Sequence, residues 1–253
     1  MNRIPVVIPY LASAAQGREL EYAVAGWRKH AKFPFTLVIV GDYHPIVTTG
    51  EDIVFMNCPQ VPEPEITEYR CHLDHVHKFR RVREAMDLDW FIYACDDMYA
   101  VNDFTMDDIL CPKYLEADML GNPLDPNGWQ RDMWKTRKIC VDNDLPVVNW
   151  VCHLPVLYGW GALEDIYSEF DCDHHSCIVE NVYFNKLYRR GLPRDAVKID
   201  GNDQYRLGLY SGDYTAESLQ AGASNKIWVC NSPEGWTDIL DNFLKQHYTD
   251  DEN

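Results

Sequence analysis

The stretch Asp89-Trp90-Phe91-Ile92-Tyr93-Ala94-Cys95-Asp96-Asp97 decides how this chain is read. Its apolar run predicts a buried strand, and the two carboxylates that follow would stand at that strand's carboxyl end. Open α/β sheets bind their ligands at that edge. Hard cations such as Mg²⁺ and Mn²⁺ take oxygen ligands, commonly one or two carboxylates together with the phosphates of a substrate. The pair therefore points to a metal–nucleotide site, although acidic residues also close strands as solvated turn residues.

Working outward, the segments on the amino-terminal side alternate between strand and helix. Ile4 to Leu11 is a β-branched apolar run interrupted by Pro9, and Leu20, Ala23, Val24 and Trp27 fall at the spacing of one buried helical face. Phe35 to Val40 reads as a second strand, closed by the turn Gly41-Asp42-Tyr43-His44-Pro45, and Asp52 to Met56 as a third. After the prolines at 59, 62 and 64, Ile66, Tyr69, Leu73, Val76, Phe79, Val82 and Met86 step by three or four, which predicts a long amphipathic helix from Glu65 to Met86. Such alternation favours a mostly parallel, Rossmann-like sheet flanked by helices.

Beyond Leu110 the pattern changes. Cys111 to Trp134 is rich in Pro, Gly, Asn and Trp and reads as irregular functional loops. Val147 to Val151 reads as a strand leading into Cys152-His153-Leu154-Pro155, and a helix carrying Leu163, Ile166, Tyr167 and Phe170 follows. Another helix starts near Ile178, Lys226 to Cys230 reads as a strand, and Leu240, Phe243 and Leu244 mark a last helix. The expected organisation is one α/β domain over 1–253, with a nucleotide-binding half at 1–110 and an irregular, acceptor-binding half at 111–253.

Composition narrows the function. With 46% hydrophobic and 13% aromatic residues, 253 residues can fill a sizeable core. A formal charge of −17 opposes nucleic-acid binding. The amino terminus lacks the pattern of a signal peptide and no apolar span is long enough to cross a membrane, so a cytoplasmic protein is expected. Nine cysteines at irregular spacing suit reduced thiols. Cys172-Asp173-His174-His175-Ser176-Cys177 offers zinc-type ligands but lacks separated knuckles, and His72, His75 and His77 read as surface or supporting histidines.

The order of parts resembles that of glycosyltransferases with the GT-A fold. The resemblance is carried by Ile8-Pro9-Tyr10, by Val40-Gly41-Asp42, by the long helix and by Phe91-Ile92-Tyr93-Ala94-Cys95-Asp96-Asp97-Met98-Tyr99, and it is strongest to bacterial capsular-polysaccharide and Stealth-type transferases. The element His153-Leu154-Pro155 is similar to their later His-Xaa-Pro. Cys95 stands where the DxD-type signature has its first carboxylate, so Asp97 matches the last.

The resemblance implies a transferase moving a sugar from a nucleotide-sugar donor to a hydroxyl-bearing acceptor such as a saccharide, assisted by Mn²⁺ or Mg²⁺. A diphosphate leaving group develops negative charge that a bound cation neutralises. Asp97 and Asp96 would ligate that ion, with Asn231 completing its oxygen shell. Asp96 would also meet donor hydroxyls. Pro9 and Tyr10 would line the donor, Asp42 would accept from its base or ribose, and Lys78 and Lys226 would reach its phosphates. For an inverting reaction a base must take the acceptor's proton; Glu180 is the first candidate, with Asp132 and Asp173 behind it. Each of these residues also has an ordinary structural reading, as a turn, a helix-end charge or a solvated side chain. A sugar nucleotidyltransferase, or a sugar- or nucleotide-binding module without turnover, would share the sheet and the acidic tip.

Overall fold

The computed structural model describes residues 3–62, 68–126 and 128–249. In chain order the elements are β1 (Ile4–Tyr10), α1 (Glu19–His30), β2 (Phe35–Gly41), β3 (Ile53–Asn57), α2 (Arg70–Ala85), β4 (Trp90–Tyr93), β5 (Met98–Ala100), α3 (Met106–Leu110), β6 (Lys113–Tyr114) and α4 (Trp129–Asp142). They continue as β7 (Val156–Gly159), α5 (Trp160–Glu169), α6 (Val179–Leu187), β8 (Val197–Lys198), β9 (Arg206–Leu209), α7 (Ala216–Ala223), β10 (Trp228–Asn231) and α8 (Asp238–Thr249).

The main sheet has the order β3-β2-β1-β4-β7. Its first four strands are parallel and β7 closes the edge antiparallel to β4. Side chains alternate across a strand, and here the alternation divides the core. Val6, Ile8, Leu37, Ile39 and Ile92 face α1, where Leu20, Val24 and Trp27 meet them. Val7, Val38, Val40, Phe91 and Tyr93 face α2 and α5, against Val76, Phe79, Leu163 and Ile166. Burial on both faces is why these strands read as continuous apolar runs. The expected α/β class, a mostly parallel sheet flanked by helices, is the observed one.

A second sheet, β5-β10-β9, lies beside the carboxyl end of the first, and β6 and β8 form a short parallel pair. β4 and β5 are separated only by Ala94 to Asp97, so the acidic tip is the passage from one sheet to the other. Strands from either side of residue 110 enter both larger sheets: β7 joins the amino-terminal strands, and β5 pairs with β10.

Three local expectations are corrected. The long helix begins at Arg70, with Glu68 and Tyr69 outside it; Glu65 and Ile66 lie outside the described residues. Val147 to Val151 is buried but is not a strand. Its backbone is served by asparagine side chains of α6: Val148 N–H donates to Asn185 Oδ1 at 3.1 Å and Trp150 N–H to Asn181 Oδ1 at 2.6 Å. Other backbone groups of the segment bond to residues 115–119: Leu115 N–H donates to Asn149 O at 2.8 Å, Asn149 N–H to Glu116 O at 2.9 Å and Met119 N–H to Val147 O at 2.7 Å. The amides thus stand in for a ladder partner at Val148 and Trp150 only. The segment read as irregular up to Trp134 contains the start of α4, a mostly polar helix that buries Met133, Thr136 and Cys140. No helix among the described residues is long and apolar enough to cross a membrane.

Candidate active site

The site is built at the carboxyl ends of β1, β2 and β4. Gly41 ends β2 with φ of 139°, and a Cβ there would meet the Tyr10 carbonyl oxygen at 1.9 Å. Glycine alone allows that approach. It lets Asp42 N–H donate to Tyr10 O at 3.2 Å. Asp42 Oδ2 in turn accepts from Ala12 N–H at 2.9 Å, which ties the loop after β1 to the end of β2. Tyr10 meets His44 edge to face, with centroids 5.6 Å apart, and Pro9 is buried on β1 beside it. From below, Lys78 Nζ donates to Tyr10 O at 3.1 Å and pairs with Asp74 at 2.6 Å. Lys78 is 2% exposed, so its charge is spent inside the wall of the site.

The acidic tip stands next to this wall. Asp97 Oδ1 accepts from His153 Nε2 at 2.9 Å. Beside it Asp96 has its pKa raised well above the carboxylate range, first by burial and then by the charges of Asp97 and Glu19. Glu19, the first residue of α1 and 4% exposed, brings a third carboxylate. Its Oε2 accepts from Gln16 N–H at 2.6 Å and its Oε1 from Asn231 Nδ2 at 2.8 Å. Burial raises its pKa, with Asp97 adding to the effect. Asn231 at the end of β10 is fully buried, and its Oδ1 accepts from the Tyr99 hydroxyl at 2.7 Å. Its amide therefore orients Glu19 rather than standing open.

Opposite the carboxylates are His153 and Glu180. His153 has φ of 53°, an uncommon backbone conformation for a side chain larger than glycine. It is held there by neighbours: the Arg206 guanidinium donates to Cys152 O, and Tyr210 stacks over the imidazole at 6.4 Å. Burial lowers the His153 pKa, but the Asp97 carboxylate and the Cys230 side chain together outweigh it, and the net shift is well upward. Glu180, on the first turn of α6, has its pKa pushed up to about 8 by burial, against the opposing effects of His153 and the Cys152 backbone. Its Oε1 is buried with no hydrogen-bond partner. A buried acceptor left unpaired costs free energy, and at a functional site it marks where a substrate group would bond.

Other candidates lie elsewhere. Asp132 is fully buried, with Oδ2 against His72 Nδ1 at 2.7 Å and Oδ1 accepting from Ser176 Oγ at 2.9 Å. That network fastens α4 to α2 and to the Cys172–Cys177 segment. Lys226 Nζ donates to Gly201 O at 2.7 Å and to Asp203 O, holding a turn before β9. Asp173 pairs with Arg80 at 2.5 Å on the surface. Cys172 and Cys177 are buried thiols 3.4 Å apart, and Tyr158 and Trp160 pack in the core.

A divalent cation fits the tip. Asp97 offers an oxygen, His153 a nitrogen and Cys95 a sulfur within 4.8 Å of one another. Beside them Asp96, raised first by burial and then by the charges of Asp97 and Glu19, adds a further carboxyl group. Glu19, Arg206 and Tyr210 are parts of this site that sequence reasoning missed, and Cys95 was read only as a departure from the acidic signature. Glu19 looks like any acidic residue in a first helical turn, and nothing local in the sequence places Arg206 or Tyr210 near residue 153. His153 was quoted only as part of a motif.

No protein-family model and no curated protein matches the chain. Among solved structures it is similar to the glycosyltransferase GlyE of Streptococcus pneumoniae TIGR4 in its apo form, at 13% identity and a TM-score of 0.47, over 98% of this chain and 61% of that one. It is also similar to a glycosyltransferase involved in glycosylation of the major capsid of PBCV-1, at 10% identity and 0.41 over 98% of each chain. A third is mouse xyloside xylosyltransferase 1, apo form, at 10% identity and 0.43 over 94% of this chain and 100% of that one. The chain thus spans 61% of the GlyE chain. Likeness at these values assigns no activity, and a functional reading must come from the site itself.

Proposed function

We propose that the protein is a glycosyltransferase that moves a sugar from a nucleoside diphosphate sugar to a hydroxyl acceptor with the help of a divalent cation. The observation that carries this reading is the convergence of Asp96, Asp97 and Glu19 at the carboxyl edge of a parallel sheet, faced by His153. An anionic donor approaches such a cluster only with a cation between them, and the ion then offsets charge on the departing diphosphate. Asp97 would hold it, with Asp96 and the Asn231–Glu19 pair beside it. Tyr10 and Asp42 would border the nucleoside, where Asp42 has one carboxylate oxygen beyond its bond to Ala12.

On the acceptor side, Glu180 would receive the proton of the attacking hydroxyl on its unpartnered Oε1. A carboxylate tuned upward is a stronger base once ionised, which suits that step. The test is donor turnover by the intact chain. A panel of nucleotide sugars is incubated with Mn²⁺, Mg²⁺ or chelator, and release of nucleoside diphosphate is measured. Metal-dependent release from at least one donor is expected; absence of both binding and release across the panel would remove the assignment.

A further inference from the structure

We propose that Cys95, Asp97 and His153 form a mixed sulfur, oxygen and nitrogen site that takes a thiophilic divalent ion, Zn²⁺ or Co²⁺, in preference to Mg²⁺. The inference rests on reading the tip as the cation site and names which ion that site selects. One ligand atom from each of the three residues lies within 4.8 Å of the other two. For bonds of roughly 2.0–2.3 Å the donors around a tetrahedral ion stand about 3.4–3.7 Å apart, so a small closure suffices. Three protein ligands also leave a fourth position open, the arrangement of catalytic rather than structural zinc sites.

Each ligand is already steered toward the common point. Cys95 and Asp97 stand two apart in the turn between β4 and β5, which brings both to the point that His153 faces. The Tyr93 hydroxyl lies 2.9 Å from Cys95 Sγ and can donate to it, the outer contact that supports a thiolate ligand. His153 keeps its φ of 53° through the anchoring of Cys152 by Arg206, and backbone strain of this kind collects at ligand clamps. Asp96, whose carboxylate is not one of the three, stays available to the donor. Thiolate and imidazole ligands favour Zn²⁺ and its neighbours, whereas all-oxygen shells suit Mg²⁺. The cysteine in the first place of the acidic signature thereby changes the ion that the signature selects.

Cobalt reports the bond directly. The full-length protein, stripped with chelator, is titrated with Co²⁺ under reducing conditions and the near-ultraviolet sulfur-to-cobalt charge-transfer band is recorded; Zn²⁺, Mn²⁺ and Mg²⁺ are then used as competitors. The band should grow to one equivalent and be displaced by Zn²⁺ far more readily than by Mg²⁺. Cys95→Ser should remove the band and weaken Co²⁺ binding by at least ~10-fold, while Cys71→Ser, a nearby thiol outside the trio, should keep both. Thermal melts of the two variants verify that they fold. Tight Co²⁺ or Mn²⁺ binding with no sulfur band, equal in wild type and Cys95→Ser, overturns this inference and leaves the cation reading intact. If no ion binds and nucleoside diphosphate affinity ignores metal, both fall together.

Discussion

Asp97 Oδ1 accepts a hydrogen bond from His153 Nε2 at 2.9 Å, joining the tip of β4 to a residue held in a left-handed backbone conformation 56 positions later. The contact closes the site from the acceptor side. The imidazole must give up the proton it shares with Asp97 before the two can hold one ion, so this hydrogen bond and ion binding are alternatives.

Asp97→Ala should therefore erase the metal dependence of nucleotide binding. In the wild type, calorimetry with a nucleoside diphosphate should show tighter binding with Mn²⁺ than with chelator, because three carboxylates otherwise repel the phosphates. In the variant the two conditions should converge. Equal affinity with and without metal already in the wild type would sink the cation assignment.

Asp42 offers a test with a built-in control. Asp42→Ala should weaken nucleotide binding by about 1–3 kcal/mol, the range for leaving a partner unpaired. It also removes the acceptor of Ala12 N–H, so loosening of the loop could mimic lost donor contact. Asp42→Asn keeps a side-chain carbonyl for Ala12 but replaces one carboxylate oxygen with an amide donor. If the donor's hydroxyls bond to the carboxylate, both variants lose affinity; if only the Asn variant binds normally, Asp42 acts through the loop.

What the sequence disclosed and what it hid divide along physical lines. β1 and β2 are legible because burial on both faces leaves apolar runs such as Val6-Val7-Ile8 and Leu37-Val38-Ile39-Val40 with little competing interpretation. α1 shows its buried stripe for the same reason. β7, four residues between Pro155 and α5, exists as a strand because β4 offers it an edge, a fact not encoded in its own period. Val147 to Val151 has strand-like residues yet makes only an isolated bridge, Asn149 to Glu116, while Asn181 and Asn185 accept from Trp150 and Val148, so local composition could not distinguish ladder from amide. In the site, Asp42, Asp96 and Asp97 stand directly after strands, where the edge-of-sheet rule finds them. Glu19 and Asn231 meet across 212 positions, and only the packed fold shows that meeting.

Lys78 gives a prediction about stability. Its ammonium and Asp74 are both buried, and Asp74 Oδ1 also accepts from Val61 N–H at 3.0 Å. Lys78→Met should cost about 3–5 kcal/mol, because it leaves Asp74 as an uncompensated buried charge and removes one of the two donors to Tyr10 O. Adding Asp74→Asn removes the charge while keeping an oxygen for Val61, so the double variant should recover much of that loss in urea unfolding. A single variant as stable as wild type would show that the pair is solvated in solution and does not brace the β1 end.

Glu180 ties stability and turnover to one titration. Its folded pKa of about 8 lies above the ordinary carboxylate value of 4.5, so between these values the folded chain binds a proton that the unfolded chain has released. Stability from this group is fully present below about pH 4.5, declines as pH rises, and is lost by about pH 8, a change of at most ~4–5 kcal/mol by linkage. Glu180→Gln cannot titrate, so the difference in melting temperature between wild type and variant should slope with pH across that window. Catalysis should run the opposite way. If ionised Glu180 takes the acceptor's proton, wild-type kcat/KM rises as pH approaches 8, and Glu180→Gln lowers transfer by roughly 10²–10⁴-fold while leaving donor affinity unchanged. A variant that reproduces the stability change but retains near-normal turnover would leave Glu180 as a buried structural acid and take the base out of α6.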